Sequence, residues 1–190
     1  NSLIRLQKPG MNAAIITAMD AADAPTRAKL LELLSVRIAP EAVPQATSHL
    51  ADPAGEVRVA ALQVLLQQGA VTDLPALLDV MKCGKESSEQ VLASRTFGAI
   101  AGRSGDAALP IILENLGTAE PAVKKSLVEA LGKVGGAGAL PPVVALLKDA
   151  DPAMQKTALS VLSDWPTADA NAQLLELAKS DDPALHDAGI

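Results

Sequence analysis

Residues 120–152 read EPAVKKSLVEALGKVGGAGALPPVVALLKDADP, and this stretch decides the fold. It opens on an acid followed by proline, Glu120-Pro121. That pairing suits a helix start, because the carboxylate accepts from an otherwise unpaired N–H while proline has no N–H to leave unpaired and a φ already set for the first turn. Behind it Val123, Leu127, Ala130 and Leu131 recur at three and four residues, the apolar face of a helix that ends near Gly135. After the glycines, Leu140, Val143, Val144 and Leu147 repeat the spacing around Leu140-Pro141. Asp151-Pro152 then begins the cycle again. The unit is helix, short turn, helix.

Working outward, the lead-in prolines Val43-Pro44, Leu74-Pro75, Leu109-Pro110 and Leu140-Pro141 are separated by 31, 35 and 31 residues, and a further step of 31 puts Ala172 in the proline slot. The acid-proline pairs are Asp52-Pro53, Glu120-Pro121, Asp151-Pro152 and Asp182-Pro183, the last three again 31 apart. Two markers sharing one period are the signature of a repeat architecture. The repeats predict a single array over residues 1–190, with a partial unit at 1–22, units at about 23–51, 52–86, 87–119, 120–150 and 151–181, and a partial unit at 182–190. Because the sequence starts and stops inside a repeat, it is expected to be a fragment of a longer protein. Composition agrees with the helical reading: 49% of the residues are hydrophobic and only 1% aromatic, so the core must come from Ala, Leu, Val and Ile.

The same composition excludes several function classes. A net charge of −6 is the wrong sign for a phosphate-backbone binder, and one Phe (Phe97) and one Trp (Trp165) cannot build a base-stacking platform, so no nucleic-acid partner is expected. The most apolar uncharged stretch, residues 134–147, is short and holds Pro141 and Pro142, so no membrane span is expected. The single cysteine, Cys83, leaves no internal disulfide. His49 and His186 lie in different repeats, too far apart in the pattern to share a metal. The run Gly132 to Gly138 follows a helix rather than a strand and lacks a closing Gly-Lys-Ser/Thr, so it reads as a turn and not a phosphate loop. Trp165, just before Pro166, falls in the column of Val134 and should plug the end of its helix pair. No catalytic residue, no cofactor site and no metal site is predicted.

The order Asp-Pro, apolar, basic, small-apolar helix, Gly, then Leu-Pro-apolar helix resembles the HEAT repeat, in particular its short bacterial, phycobilisome-lyase-type form. Val57-Arg58, Val123-Lys124 and Thr26-Arg27 carry the match. The resemblance implies an all-α fold, a right-handed α-solenoid (α-α superhelix) of stacked antiparallel helix pairs, with first helices on the convex side and second helices lining the concave one. It also implies hydrogen bonds between the acid and the basic residue along the stack. The third unit lacks the acid-proline start, and Gln155 and His186 replace the basic residue later on.

On that arrangement one column of the second helices collects Ser48, Asp79, Glu114, Ala145 and Glu176, with neighbours His49, Val80, Asn115, Leu146 and Leu177 and a third column of Gln45, Ala76, Ile111, Pro142 and Gln173. The first helices carry Arg27, Arg58, Lys124, Lys125 and Lys156, so charge is expected to separate by layer. The predicted contact stripe is Gln45, Ser48, Asp79, Ile111, Glu114, Asn115, Leu146, Gln173 and Glu176, acidic with apolar flanks at Ile111, Leu146 and Leu177. Such a surface suits a protein partner or another domain of the parent chain. The resemblance also admits a structural or accessory domain of a larger bacterial enzyme, or a lyase-type enzyme component. The longer interval from Pro75 to Pro110 places an insertion at residues 82–86, where it reads as a surface turn of variable length, with Ser87 and Gln90 as a capping box restarting the helix.

Overall fold

The computed structural model describes residues 10–179, and every regular element among them is helical. In chain order these are α1 (Met11–Asp20), α2 (Ala24–Arg37), α3 (Val43–His49), α4 (Gly55–Gln68), α5 (Leu74–Cys83), α6 (Ser87–Ser104), α7 (Leu109–Leu116), α8 (Pro121–Val134), α9 (Gly136–Ala145), α10 (Pro152–Ser163) and α11 (Asn171–Ala178). From α2 onward a longer first helix alternates with a shorter second one, as the repeat predicts. The chain is an all-α solenoid of stacked antiparallel helix pairs. Short 3₁₀ turns at Pro40–Ala42, Val71–Asp73, Gly105–Ala108 and Ala168–Ala170 lead directly into second helices. Pro44, Pro75 and Pro110 sit in the first turn of those helices, where a missing N–H costs nothing. The pair α8–α9 departs from this plan: α9 begins at Gly136, so Pro141 and Pro142 fall inside the helix instead of opening it. Two N–H groups are then missing from its ladder, and the helix gives way after Ala145 to the 3₁₀ turn Leu146–Lys148.

The chain forms two compact units, Asn1–Phe97 and Gly98–Ile190, divided within α6. In the first, α4 packs on α2 and α3. Val57, Ala60, Ala61, Leu62, Val64 and Leu65 are all buried, which makes α4 a helix apolar on nearly every side, and Leu31 and Leu34 of the neighbouring α2 are fully buried as well. In the second, α8 packs on α7, α9 and α10. Ile112, Leu127, Leu131, Val143, Ala158 and Leu162 are fully buried there. Each fully buried Ile, Leu or Val among them contributes about 1.5–3 kcal/mol. The plug expected at Trp165 is present: its ring is buried. Beside it Pro166 closes on Gly135, where φ is 66° and an added Cβ would lie 2.6 Å from the Pro166 Cγ, so only glycine fits.

The acid-proline pairs turn out to do different jobs. Asp151 caps α10 by accepting from the Ala153 N–H at 2.9 Å, and Asp23, an acid one residue further from its proline, caps α2 by accepting from the Thr26 N–H at 3.0 Å. Glu120 takes the cap position of α8 without a side-chain bond. Asp52 is no cap, because α4 starts at Gly55 with Ala54 as its N-cap residue. The Asp52 carboxylate instead accepts from the Ala54 N–H at 2.9 Å, in an Asx turn before the helix. Asp182-Pro183 lies outside the described residues. The capping box at Ser87 is also replaced, since the Gln90 amide donates to the Gly84 carbonyl at 3.2 Å. Finally, α2 ends with Ile38 at φ 50°, a left-handed position that favours glycine, and leaves that β-branched side chain 69% exposed.

Candidate interaction cleft

Three ion pairs run along the stack, two of them joining successive repeats and the third, Lys124–Asp149, closing one repeat on itself, and they consume the basic column. Arg27 donates to Asp52 at 2.5 Å, Arg58 donates to both carboxylate oxygens of Glu89 at 3.0 and 2.5 Å, and Lys124 donates to Asp149 at 2.6 Å. The predicted basic outer layer is therefore not a free surface at Arg27, Arg58 and Lys124. These cations face inward along the stack because each has an acid of the neighbouring turn within reach. Asp149 accepts from the Asp151 N–H at 2.9 Å just as Asp52 does from Ala54, so the two aspartates are structural equivalents. Arg58 also donates to the Asp52 carbonyl at 2.8 Å, and Gln155 makes the corresponding bond to the Asp149 carbonyl at 2.7 Å. Gln155 thus keeps the backbone half of the arginine's role without its charge. His49 joins this ladder, its Nδ1 lying 3.5 Å from Asp52; His186 lies outside the described residues.

The electrostatics follow from these contacts. Burial works against ionisation of Asp52, but the Ala54 N–H and the Arg27 guanidinium, with His49 beyond, outweigh it and hold the carboxyl below its ordinary value. The Lys124 bond, then the Asp151 N–H, do the same for Asp149. The Glu89 bond, working against burial, holds the Arg58 guanidinium above its ordinary value.

Beside the Arg58–Glu89 pair, within the first unit, opens a cleft of about 390 Å³. Its walls come from α3 and the following turn (Thr47, Leu50, Ala51), from α5 (Ala76, Asp79, Val80, Cys83) and from the inserted loop (Gly84, Lys85), with Arg58 and Glu89 beneath. Ala76, Asp79 and Val80 are the members of the three predicted contact columns in this repeat, and they meet the insertion here. The insertion supplies one wall of the cleft. Gly84 fixes that wall: an added Cβ would lie 2.5 Å from the Val80 carbonyl oxygen. Sequence reasoning missed Glu89. Arg27–Asp52 and Lys124–Asp149 each span 25 residues, and the same count from Arg58 lands on Cys83 inside the insertion, so the acid had to be sought beyond it.

Of the predicted stripe, Ser48 and Asp79 are exposed and Gln45 is half-buried in the first unit. In the second unit Glu114 and Glu176 are exposed, while Ile111, Asn115 and Gln173 are half-buried. Glu176 pairs with Lys179 at 3.0 Å, and the Asn115 amide donates to the Ile111 carbonyl at 3.0 Å. Leu146 is a correction: it is buried, because the 3₁₀ turn that carries it packs on α10. Leu177 is buried too, so neither leucine flanks a contact surface; Leu113 and Leu175 are the exposed leucines of α7 and α11. Among the described residues no three His, Cys, Asp or Glu side chains converge as metal ligands, and no helix is long and apolar enough to cross a membrane.

Comparison with known proteins agrees with the helical repeat. Residues 132–163 match the family model described as Armadillo/beta-catenin-like repeat. No curated protein matches the chain. Among solved structures, one engineered protein is 18% identical with a TM-score of 0.50, covering 100% of this chain and 94% of its own. A second engineered protein is 18% identical with a TM-score of 0.53, covering 95% of this chain, which spans 56% of that protein. A designed armadillo repeat protein is 20% identical with a TM-score of 0.42, covering 99% of this chain and 94% of its own. The chain is thus an all-helical repeat protein in which residues 132–163 are similar to the armadillo-type repeat.

Proposed function

We propose that the chain is a non-catalytic protein-interaction module that presents its second helices to a protein partner or to another domain of a parent protein. One observation carries this reading: Asp79 of the predicted stripe lies with its column neighbours Ala76 and Val80 on the wall of one cleft, beside the loop that follows α5. Armadillo-type repeats serve mainly as interaction scaffolds, which supports the reading by analogy of fold. The finer assignment follows from the 31-residue step: the repeats are of the short HEAT-like kind, and residues 1–190 are one array. Asp79, Glu114 and Glu176 are the charged side chains we assign to the contact face; each is exposed, so each can be changed without disturbing the core.

The test is affinity capture with the immobilised chain beside a variant carrying Asp79→Lys, Glu114→Lys and Glu176→Lys. The parent is expected to retain a partner that the charge-reversed chain loses, with retention falling as salt rises. Equal retention by both chains, or none by either, would overturn the assignment of these helices.

A further inference from the structure

The polar groups around the cleft divide into those already used and those left over. The Thr47 hydroxyl is engaged by the Val43 carbonyl at 3.0 Å and by Asp73 at 2.9 Å. Arg58 is held by Glu89 and by the carbonyls of Asp52 and Pro53, so neither member of the buried pair is offered to a ligand. Asp79 and Lys85 are exposed and have no ion-pair partner among the described residues. Between them the walls are aliphatic: Leu50, Ala51, Ala76 and Val80. The volume of about 390 Å³ sits near the lower end of ligand pockets, enough for one or two side chains and far too little for a helix.

Charge complementarity selects the occupant. A run of cations would satisfy Asp79 and be repelled by Lys85; a run of anions would meet the opposite conflict. Only a ligand with one charge of each sign around an apolar centre meets every wall without leaving a group unpaired. We infer that the cleft takes a single aliphatic side chain from a polypeptide segment that carries a basic residue against Asp79 and an acidic residue against Lys85. This rests on the interaction reading above and narrows it to one anchor and two flanking charges.

Cys83 supplies the readout, being the one cysteine of the sequence, exposed and part of the cleft wall. Random peptides displayed on phage are selected on the immobilised protein, and on Asp79→Lys and Lys85→Glu variants altered only at exposed positions. The enriched peptide is then synthesised and scored by how far it slows alkylation of Cys83 by iodoacetamide. The parent should enrich an aliphatic residue with a base and an acid close by, and that peptide should slow alkylation about fivefold or more at saturation. Either single variant should lose the protection. Enrichment of purely basic sequences, of no sequence, or of peptides that leave the alkylation rate unchanged would overturn the inference. Should charge reversal still abolish partner capture while no peptide reaches Cys83, the interaction reading stands and only the cleft is removed.

Discussion

Arg58–Glu89 in the first unit and Lys124–Asp149 in the second join neighbouring turns from the same column of the repeat, yet one is dry and the other wet. The side chains of the first pair are 7% and 2% exposed, those of the second 25% and 18%. A lysine suffices where water shares the load, because its ammonium needs only a near acid and some solvent. Inside the first unit the cation must have its donors satisfied by protein, and the planar guanidinium does so with Glu89 and two carbonyls. Burial, more than the identity of the charges, decides what each pair contributes to stability.

The largest effect that would sharpen this contrast is at Glu89. Glu89→Ala leaves Arg58 buried without its carboxylate and should cost about 3–5 kcal/mol in denaturant unfolding followed by circular dichroism. A loss below about 1 kcal/mol would mean that water reaches Arg58 and that the two pairs are alike. An intermediate effect belongs to Asp52, which is itself buried while its partner Arg27 is partly solvated. Asp52→Asn should cost about 1–2 kcal/mol at neutral pH. Because the folded-state value of Asp52 is the lower one, the unfolded chain takes up the proton first. The stabilisation is therefore complete above the unfolded value of about 3.9 and disappears as pH falls through the folded one. The urea midpoint of the parent should drop on going from about pH 5 to pH 3, and Asp52→Asn should make that drop shallower. An identical pH profile in both chains would remove Asp52 from the ladder. The smallest effect is expected at Lys124→Met, within about 1 kcal/mol of the parent and shrinking further with added salt. A loss as large as that of Glu89→Ala would abolish the contrast.

Much of the fold was legible because it depends on spacing. Apolar residues three and four apart, broken by glycine and proline, dictate which faces must be buried whatever surrounds them, and α4 and α8 follow directly. The helix starts were less legible, since Asp followed by Pro serves two geometries: Asp151 caps its helix, whereas Asp52 turns the chain before one. Both satisfy an N–H, and register separates them: Asp52 lies six residues before Arg58, whereas Asp151 lies four before Gln155, so Ala54 holds the place of Asp151. The cleft was half legible. Columns of the second helices pointed to Ala76, Asp79 and Val80 by period alone. Glu89 was hidden because the insertion shifts it out of the spacing that the other two pairs obey. Leu146 was misjudged because its column is not an outward one at this end of the chain: Leu177, one repeat on in the regular helix α11, is buried as well.

The ladder also bears on how the chain can be cut. Arg27–Asp52 and Lys124–Asp149 each cover 25 residues of a 31-residue step, and Arg58–Glu89 covers a full 31. A cut between Arg58 and Glu89 therefore strands a charged side chain that was built for a partner on the far side. Trimming at Gly84, for instance, would leave the Arg58 guanidinium facing its two carbonyls alone. A shortened version that ends after the acid of its last pair keeps each charge matched, so excision should follow the ion pairs, not the helix boundaries.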